Sequence, residues 1–118
     1  VKNYLSAMEA RDLTKAGALL AQGFTMSFPG TGPMTTLDAL IQWSKPRYKF
    51  VTKTYEGFDA LQSPDEASIV YCRGTLQGEY HDGSCFESIR FIDRFEVVDG
   101  KIIKQDVWND MAEVRANT

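Results

Sequence analysis

Few side chains in this sequence can do chemistry, and their types narrow what that chemistry is. The only histidine, His81, falls in the turn His81-Asp82-Gly83, which removes a histidine-centred dyad and reads as an exposed loop residue. One histidine and the two cysteines, Cys72 and Cys85, make a poor tetrahedral zinc set, so no metal is expected. No glycine-rich phosphate loop follows a strand, because Gly30 and Gly32 belong to a turn bounded by Pro29 and Pro33. No organic cofactor is expected either. What remains is acid–base chemistry by carboxyl, guanidinium and phenol groups. Asp93 lies in an apolar strand between Phe91 and Phe95. Apolar surroundings favour its neutral acid and a nearby Arg73 favours its carboxylate, so the distance between them sets its role. As a carboxylate it could take a proton from an acidic C–H or O–H. Tyr4 and Tyr71 could donate to a substrate oxygen as that oxygen gains charge. The plain alternatives are a structural ion pair and two ordinary core tyrosines. The expected convergence of Tyr4 and Tyr71 on Asp93 tips the balance toward function.

The elements that must hold these groups follow from periodicity. Val1, Tyr4, Leu5 and Met8 recur at helical spacing, and the stripe restarts at Leu13, Ala16, Leu19 and Leu20 after a capping Asp12. Phe24, Met26 and Phe28 alternate as a short strand, and Thr36 offers the cap of a third helix that Pro46 stops. From Tyr48 onward the pattern is strands, at roughly 48–61, 67–80, 85–98 and 101–109. Their connections are Ser63-Pro64-Asp65, His81-Asp82-Gly83 and Val98-Asp99-Gly100. Asn109 and Asp110 could cap one last helical turn. Helices followed by an antiparallel meander predict an α+β fold, and 118 residues fit a single domain spanning 1–118.

Register then decides which side chains meet. For the last hairpin, a two-residue Asp-Gly loop would set Asp93 opposite Asp106, and like charges across a ladder are destabilising. A three-residue loop pairs Phe95 with Ile103, Asp93 with Gln105 and Phe91 with Val107, and is preferred. The same loop type at His81-Asp82-Gly83 pairs Tyr80 with Ser84, which sets Tyr71 opposite Asp93, Arg73 opposite Phe91 and Thr75 opposite Ile89. One face thus gathers Tyr71, Arg73, Asp93 and Gln105 within an apolar wall, the general form of a small-molecule site. The other face carries Val70, Cys72, Leu76, Ile92, Ile102 and Trp108. It is too apolar to be simply solvated, and a homodimer through this face is expected.

The opening VKNYLSAMEARDLTKAGALLA, the segment FTMSFPG and the hairpin FIDRFEVVDGKI resemble the nuclear transport factor 2-like superfamily, which includes ketosteroid isomerase, SnoaL-like polyketide cyclases and limonene epoxide hydrolase. The resemblance implies a cystatin-like cone: N-terminal helices packed in a curved antiparallel sheet that encloses one pocket. Tyr4 and Asp93 match the two oxyanion donors of the isomerase, whose neutral carboxylic acid is a familiar case of an acid protonated by an apolar site. Phe28 stands where that family has its general base, so isomerase activity is not carried over. Arg73 matches the site arginine of the epoxide hydrolase, but Thr75 and Val107 replace its two aspartates.

The resulting expectation is a SnoaL-like enzyme using cofactor-free acid–base chemistry on a hydrophobic ketone-like or polycyclic compound. Asp93, Tyr4, Arg73 and Tyr71 would be catalytic. The binding wall would comprise Phe28, Trp43, Thr75, Phe91, Phe95, Gln105, Val107 and Asn109. The alternative is a non-catalytic ligand-binding or dimerisation module that lacks the general base. A net charge of −3 argues against nucleic acid as partner, and no basic run or apolar stretch of about 20 residues points to a membrane. The sparse cysteines and absence of a recognisable leader suggest a reducing cytoplasm.

Overall fold

The computed structural model describes residues 1–62 and 68–116. The expected turn at Ser63-Pro64-Asp65 lies outside the described residues. Helix α1 (Lys2–Glu9) buries Tyr4, Leu5 and Ala7 on one stripe. The chain reverses at Arg11, whose φ is 58°, and Asp12 then accepts a hydrogen bond from the Lys15 amide at 3.1 Å to cap α2 (Leu13–Ala18). Leu20 leaves the helical stripe and opens β1 (Leu20–Ser27), which is longer than the alternation of Phe24 and Met26 alone predicts. Thr36 accepts from the Ala39 amide at 3.0 Å and caps α3 (Leu37–Ser44). Four strands follow, β2 (Phe50–Gln62), β3 (Ser68–Glu79), β4 (Cys85–Val98) and β5 (Lys101–Asn109), then α4 (Met111–Ala116). Asn109 Oδ1 accepts from the Met111 amide at 3.1 Å at the start of α4.

The sheet order is β1-β5-β4-β3-β2. The meander is antiparallel, but β1 pairs with β5 in parallel, a departure from the all-antiparallel expectation. The parallel pairing arises because the chain leaves β1, passes through α3 and the whole meander, and returns to the same edge. Tyr4, Leu5 and Ala7 pack into the concave face against Leu76, Ile89, Phe91 and Phe95, giving the α+β cone. Curvature depends on glycine at Gly74: a Cβ there would lie 1.9 Å from the Thr54 carbonyl oxygen, so β2 crosses this point only over a residue without a side chain. Among the described residues, no helix is long and apolar enough to cross a membrane.

Among the described residues, three bulges set the register of the antiparallel meander, and two of them correct the sequence-based pairing. Asp99 (φ 52°) and Gly100 (φ 75°) close a two-residue turn, with Val98 opposite Lys101. The Asp93–Asp106 clash that argued against this turn is avoided because the register shifts between Glu96 and Val97, leaving Ile103 as the extra residue. Asp106 therefore lies opposite Arg94, and Asp93 opposite Val107. At the other hairpin the expected contact is present, the Tyr80 amide donating to the Ser84 carbonyl at 2.8 Å. Beyond it, however, β4 bulges near Ser88, whose φ is 58°, and the pairing passes from Gly78–Phe86 to Leu76–Ile89. A slip of one residue exchanges the faces of β3. Cys72 stands opposite Asp93, Tyr71 opposite Arg94, Arg73 opposite Ile92 and Thr75 opposite Arg90. Tyr71, Arg73 and Thr75 thus belong to the outer face, while Cys72 and Leu76, expected outside, are buried in the core with Ile102. The third bulge, at Glu56 in β2, lies between the pairs Tyr55–Gly74 and Gly57–Arg73.

Candidate functional site

The inner face of β4 presents Ile89, Phe91, Asp93 and Phe95, all buried, and Asp93 is 0% exposed. A carboxylate in such a wall requires a partner. Its partner is not Arg73 but Lys53 of β2, whose Nζ lies 2.7 Å from Asp93 Oδ2. Lys53 reaches Asp93 across β3 because Gly74 keeps β2 close, and its Nζ also sits 4.8 Å from the centre of the Phe91 ring. The second carboxylate oxygen, Oδ1, is buried without a hydrogen-bond partner. An acceptor of this kind, desolvated and unsatisfied, needs an explanation, and Asp93 lines a cavity.

That cavity, about 110 Å³, lies between α1, α3 and the sheet. Asp93, Lys53, Tyr4, Tyr55 and Gln105 are among its polar lining residues, beside Phe28, Trp43, Phe91 and Val107. Tyr4 packs edge-on against Phe95 at 6.1 Å and donates to Gln105 Oε1 at 3.2 Å. Burial pushes the Tyr4 phenol well above the usual tyrosine range, and the negative charge of Asp93 pushes it further. Tyr55 is raised as well, first by burial and then by Cys72, Asp93 and Glu9, and its ring meets Phe91 edge-on at 5.9 Å. Both phenols are therefore neutral hydrogen-bond donors at neutral pH. Cys72 lies beneath Asp93; burial first and the Asp93 charge second push its thiol up to about 12. It remains a protonated packing residue rather than a nucleophile.

Eight of the residues read from sequence as site candidates line this cavity: Tyr4, Phe28, Trp43, Phe91, Asp93, Gln105, Val107 and Asn109. Phe95 is adjacent but wholly within the core. Tyr71 and Arg73 are placed outside, Tyr71 beside Arg94 and Arg73 paired with Glu56 at 3.1 Å, and Thr75 shares their face. The pairing of Asp93 with Arg73 and the convergence of Tyr71 with Tyr4 are thus corrected, and the cause is the Ser88 bulge. Lys53 and Tyr55 were missed because a lysine in a strand ordinarily marks the solvent face. One signal could have found them: Val51, Lys53 and Tyr55 share a parity opposite Thr52, Thr54 and Glu56. Phe28 packs at a tilt against Trp43 with ring centres 5.1 Å apart, which makes this wall apolar where a base would be sought.

Comparison with known proteins supports the architecture. The model of the SnoaL-like domain family matches residues 1–105. No curated protein sequence matches. Among solved structures, a nuclear transport factor 2-like protein of unknown function from Burkholderia pseudomallei superposes with a TM-score of 0.79 at 17% identity, covering 98% of this chain and 91% of that one. TerC, co-crystallized with polyporic acid, superposes with a TM-score of 0.79 at 12% identity, covering 97% and 91%. A candidate polyketide cyclase from Xanthomonas campestris pv. campestris gives 0.75 at 15% identity, covering 98% and 90%. At these identities the likeness concerns the fold alone.

Proposed function

The chain belongs to the SnoaL-like family, and from that premise we propose that its pocket performs acid–base chemistry on a hydrophobic ketone-like compound. The observation that carries this reading is the state of Asp93: wholly buried, held through Oδ2 by Lys53, and unsatisfied at Oδ1. Asp93 Oδ1 takes a proton from the carbon next to the substrate carbonyl. The electron pair of the broken C–H bond moves onto the carbonyl oxygen, and the Lys53 ammonium stabilises the enolate. Where the ketone carries a β,γ double bond the enolate is a dienolate, and the proton returns from Asp93 to its γ carbon, which is isomerisation. Alternatively, the enolate carbon attacks a second carbonyl and the proton goes to the resulting alkoxide, which is cyclisation. Tyr4, already donating to Gln105, orients the amide rather than the substrate, while Tyr55 offers a second neutral donor that lines the cavity. TerC with polyporic acid and a candidate polyketide cyclase share the fold, which agrees with a small oxygen-bearing ligand in this pocket.

The test is proton exchange. Incubated in D2O with a bicyclic ketone such as 2-tetralone, the protein should speed incorporation of deuterium beside the carbonyl, read by NMR. Asp93→Asn should lower that rate by about 100-fold or more while retaining ketone binding. Equal rates for both proteins would exclude Asp93 as the base.

A second reading, a non-catalytic binding module, is favoured by Phe28, which leaves the first-strand wall without a carboxylate. It forecasts binding of the ketone with no exchange above the buffer rate. In either case the outer face is the proposed self-association surface, because Ile92 and Trp108 are paired there and Trp108 is 53% exposed. Light scattering should find a dimer that Trp108→Glu converts to monomer; a monomeric parent protein would remove this part of the reading.

A further inference from the structure

The rim of the pocket carries a charge arrangement that the Asp93–Lys53 chemistry does not use. Arg47, just beyond α3, lines the pocket with its guanidinium 4.4 Å from the centre of the Trp43 ring. Its Nε is buried and has no hydrogen-bond acceptor. Arg11, at the reversal between α1 and α2, lines the same rim and spends one donor on the Met8 carbonyl at 3.3 Å. Among the described residues neither arginine belongs to an ion pair, although acids outnumber bases in this sequence. Tyr48 lies within reach of both: burial raises its phenol, and the charges of Arg11 and Arg47 act in the opposite direction. Among the described residues, Glu9 is the one acid on this rim. The floor differs, since the Lys53 charge is already matched by Asp93.

A guanidinium lying over an indole is held in place, and its terminal N–H groups can still meet a planar oxyanion. The buried, unsatisfied Nε would gain from an incoming acceptor. We infer that the rim is an anion-recognition site and that the ligand is a flat hydrophobic acid. Its apolar body lies along Trp43 and Phe28, its carboxylate or similarly acidic group meets Arg47 and Arg11, and its ketone-like end reaches Asp93 and Lys53. This inference rests on the proposed small-molecule reading and specifies the substrate class for the same pocket.

A matched pair of probes separates the two ideas. 2-Naphthoate and its neutral analogue 2-acetylnaphthalene are measured by equilibrium dialysis against the full chain at low salt. Naphthoate should bind about tenfold more tightly, the value of one charge-assisted contact, and the advantage should shrink as salt rises. Arg47→Gln should abolish the advantage and leave the neutral ketone within about twofold, Arg47→Lys should keep part of it, and Glu9→Gln should enlarge it. Unchanged melting temperatures show that the variants are folded. Equal binding of both probes, or loss of the naphthoate advantage in Lys53→Gln but not in Arg47→Gln, overturns the anion site and leaves the pocket reading standing. Binding of neither probe overturns both.

Discussion

Among the described residues, two ion pairs tie β2 to the rest of the sheet, and they lie on opposite faces. Arg73 and Glu56 meet at 3.1 Å with side chains 53% and 57% exposed, whereas Lys53 and Asp93 meet at 2.7 Å with 21% and 0%. The chemical groups are similar, but their settings give them different work. The outer pair replaces water contacts with one another and gains little. The inner pair has lost most of its water, so removing one partner strands the other, and each can act on a ligand with little competition from solvent. Burial, more than residue type, makes one pair a candidate site and the other a surface detail.

The same contrast orders the expected effects of mutation. The largest belongs to the inner glycine: Gly74→Ala puts a methyl group 1.9 Å from the Thr54 carbonyl oxygen and should cost about 3 kcal/mol or more in urea denaturation. Gly57→Ala, on the outer side, meets only the end of the Arg73 side chain at 3.2 Å and should stay within about 1 kcal/mol. If the two cost the same, the glycine requirement of the cone is misassigned. Next comes Asp93→Asn, which leaves the Lys53 charge unmatched. It should cost about 2–3 kcal/mol, short of the 3–5 of a fully buried pair because Lys53 keeps some water. The double variant Lys53→Met/Asp93→Leu should recover most of that loss while abolishing deuterium exchange, which would separate stability from function. Arg73→Ala should change stability by about 0.5 kcal/mol or less. A larger loss than for Asp93→Asn would reverse the comparison.

The smallest effect at ordinary pH, and the one that grows with alkali, comes from the groups beneath Asp93. The Cys72 thiol is raised from 9.0 to about 12 in the fold. Between those values the unfolded chain has released a proton that the folded chain retains, so stability is complete below about pH 9 and falls as pH rises through the window. Tyr4 and Tyr55, raised from 10.0, add to the fall at higher pH. Urea denaturation at successive pH values should show a flat limb giving way to a decline. Cys72→Ala should lower the whole curve but lessen its initial slope.

Much of the site was legible because β4 advertises itself. Ile89, Phe91, Asp93 and Phe95 keep a strict period of two, so Asp93 had to face wherever its apolar neighbours did. Tyr4 was legible from the stripe it shares with Leu5 on α1, and Gln105 and Val107 from their parity on β5. Two register errors had different consequences. The pairing of β5 with β4 was misplaced by two residues near Asp93, an even number, and the face of Gln105 survived. The pairing of β3 with β4 was misplaced by one, and Tyr71, Arg73 and Thr75 changed sides. Lys53 was hidden for another reason: no turn argument registered β2, and its charge suggested solvent although its parity did not.

The sequence by itself determined the order of elements, the α+β class, the helix caps at Asp12 and Thr36, and the inward face of Asp93. These depend on neighbours a few residues away, whose spacing is written in the chain. Only the tertiary structure decided that Asp93 pairs with Lys53, that Arg73 faces outward, and that Arg47 and Arg11 share the rim with Tyr48. Each of these depends on where strands slip by one residue and how closely β2 crosses Gly74. A bulge is chosen by the packing of whole faces, so the residue that absorbs it, such as Ser88 or Ile103, carries no local mark of it.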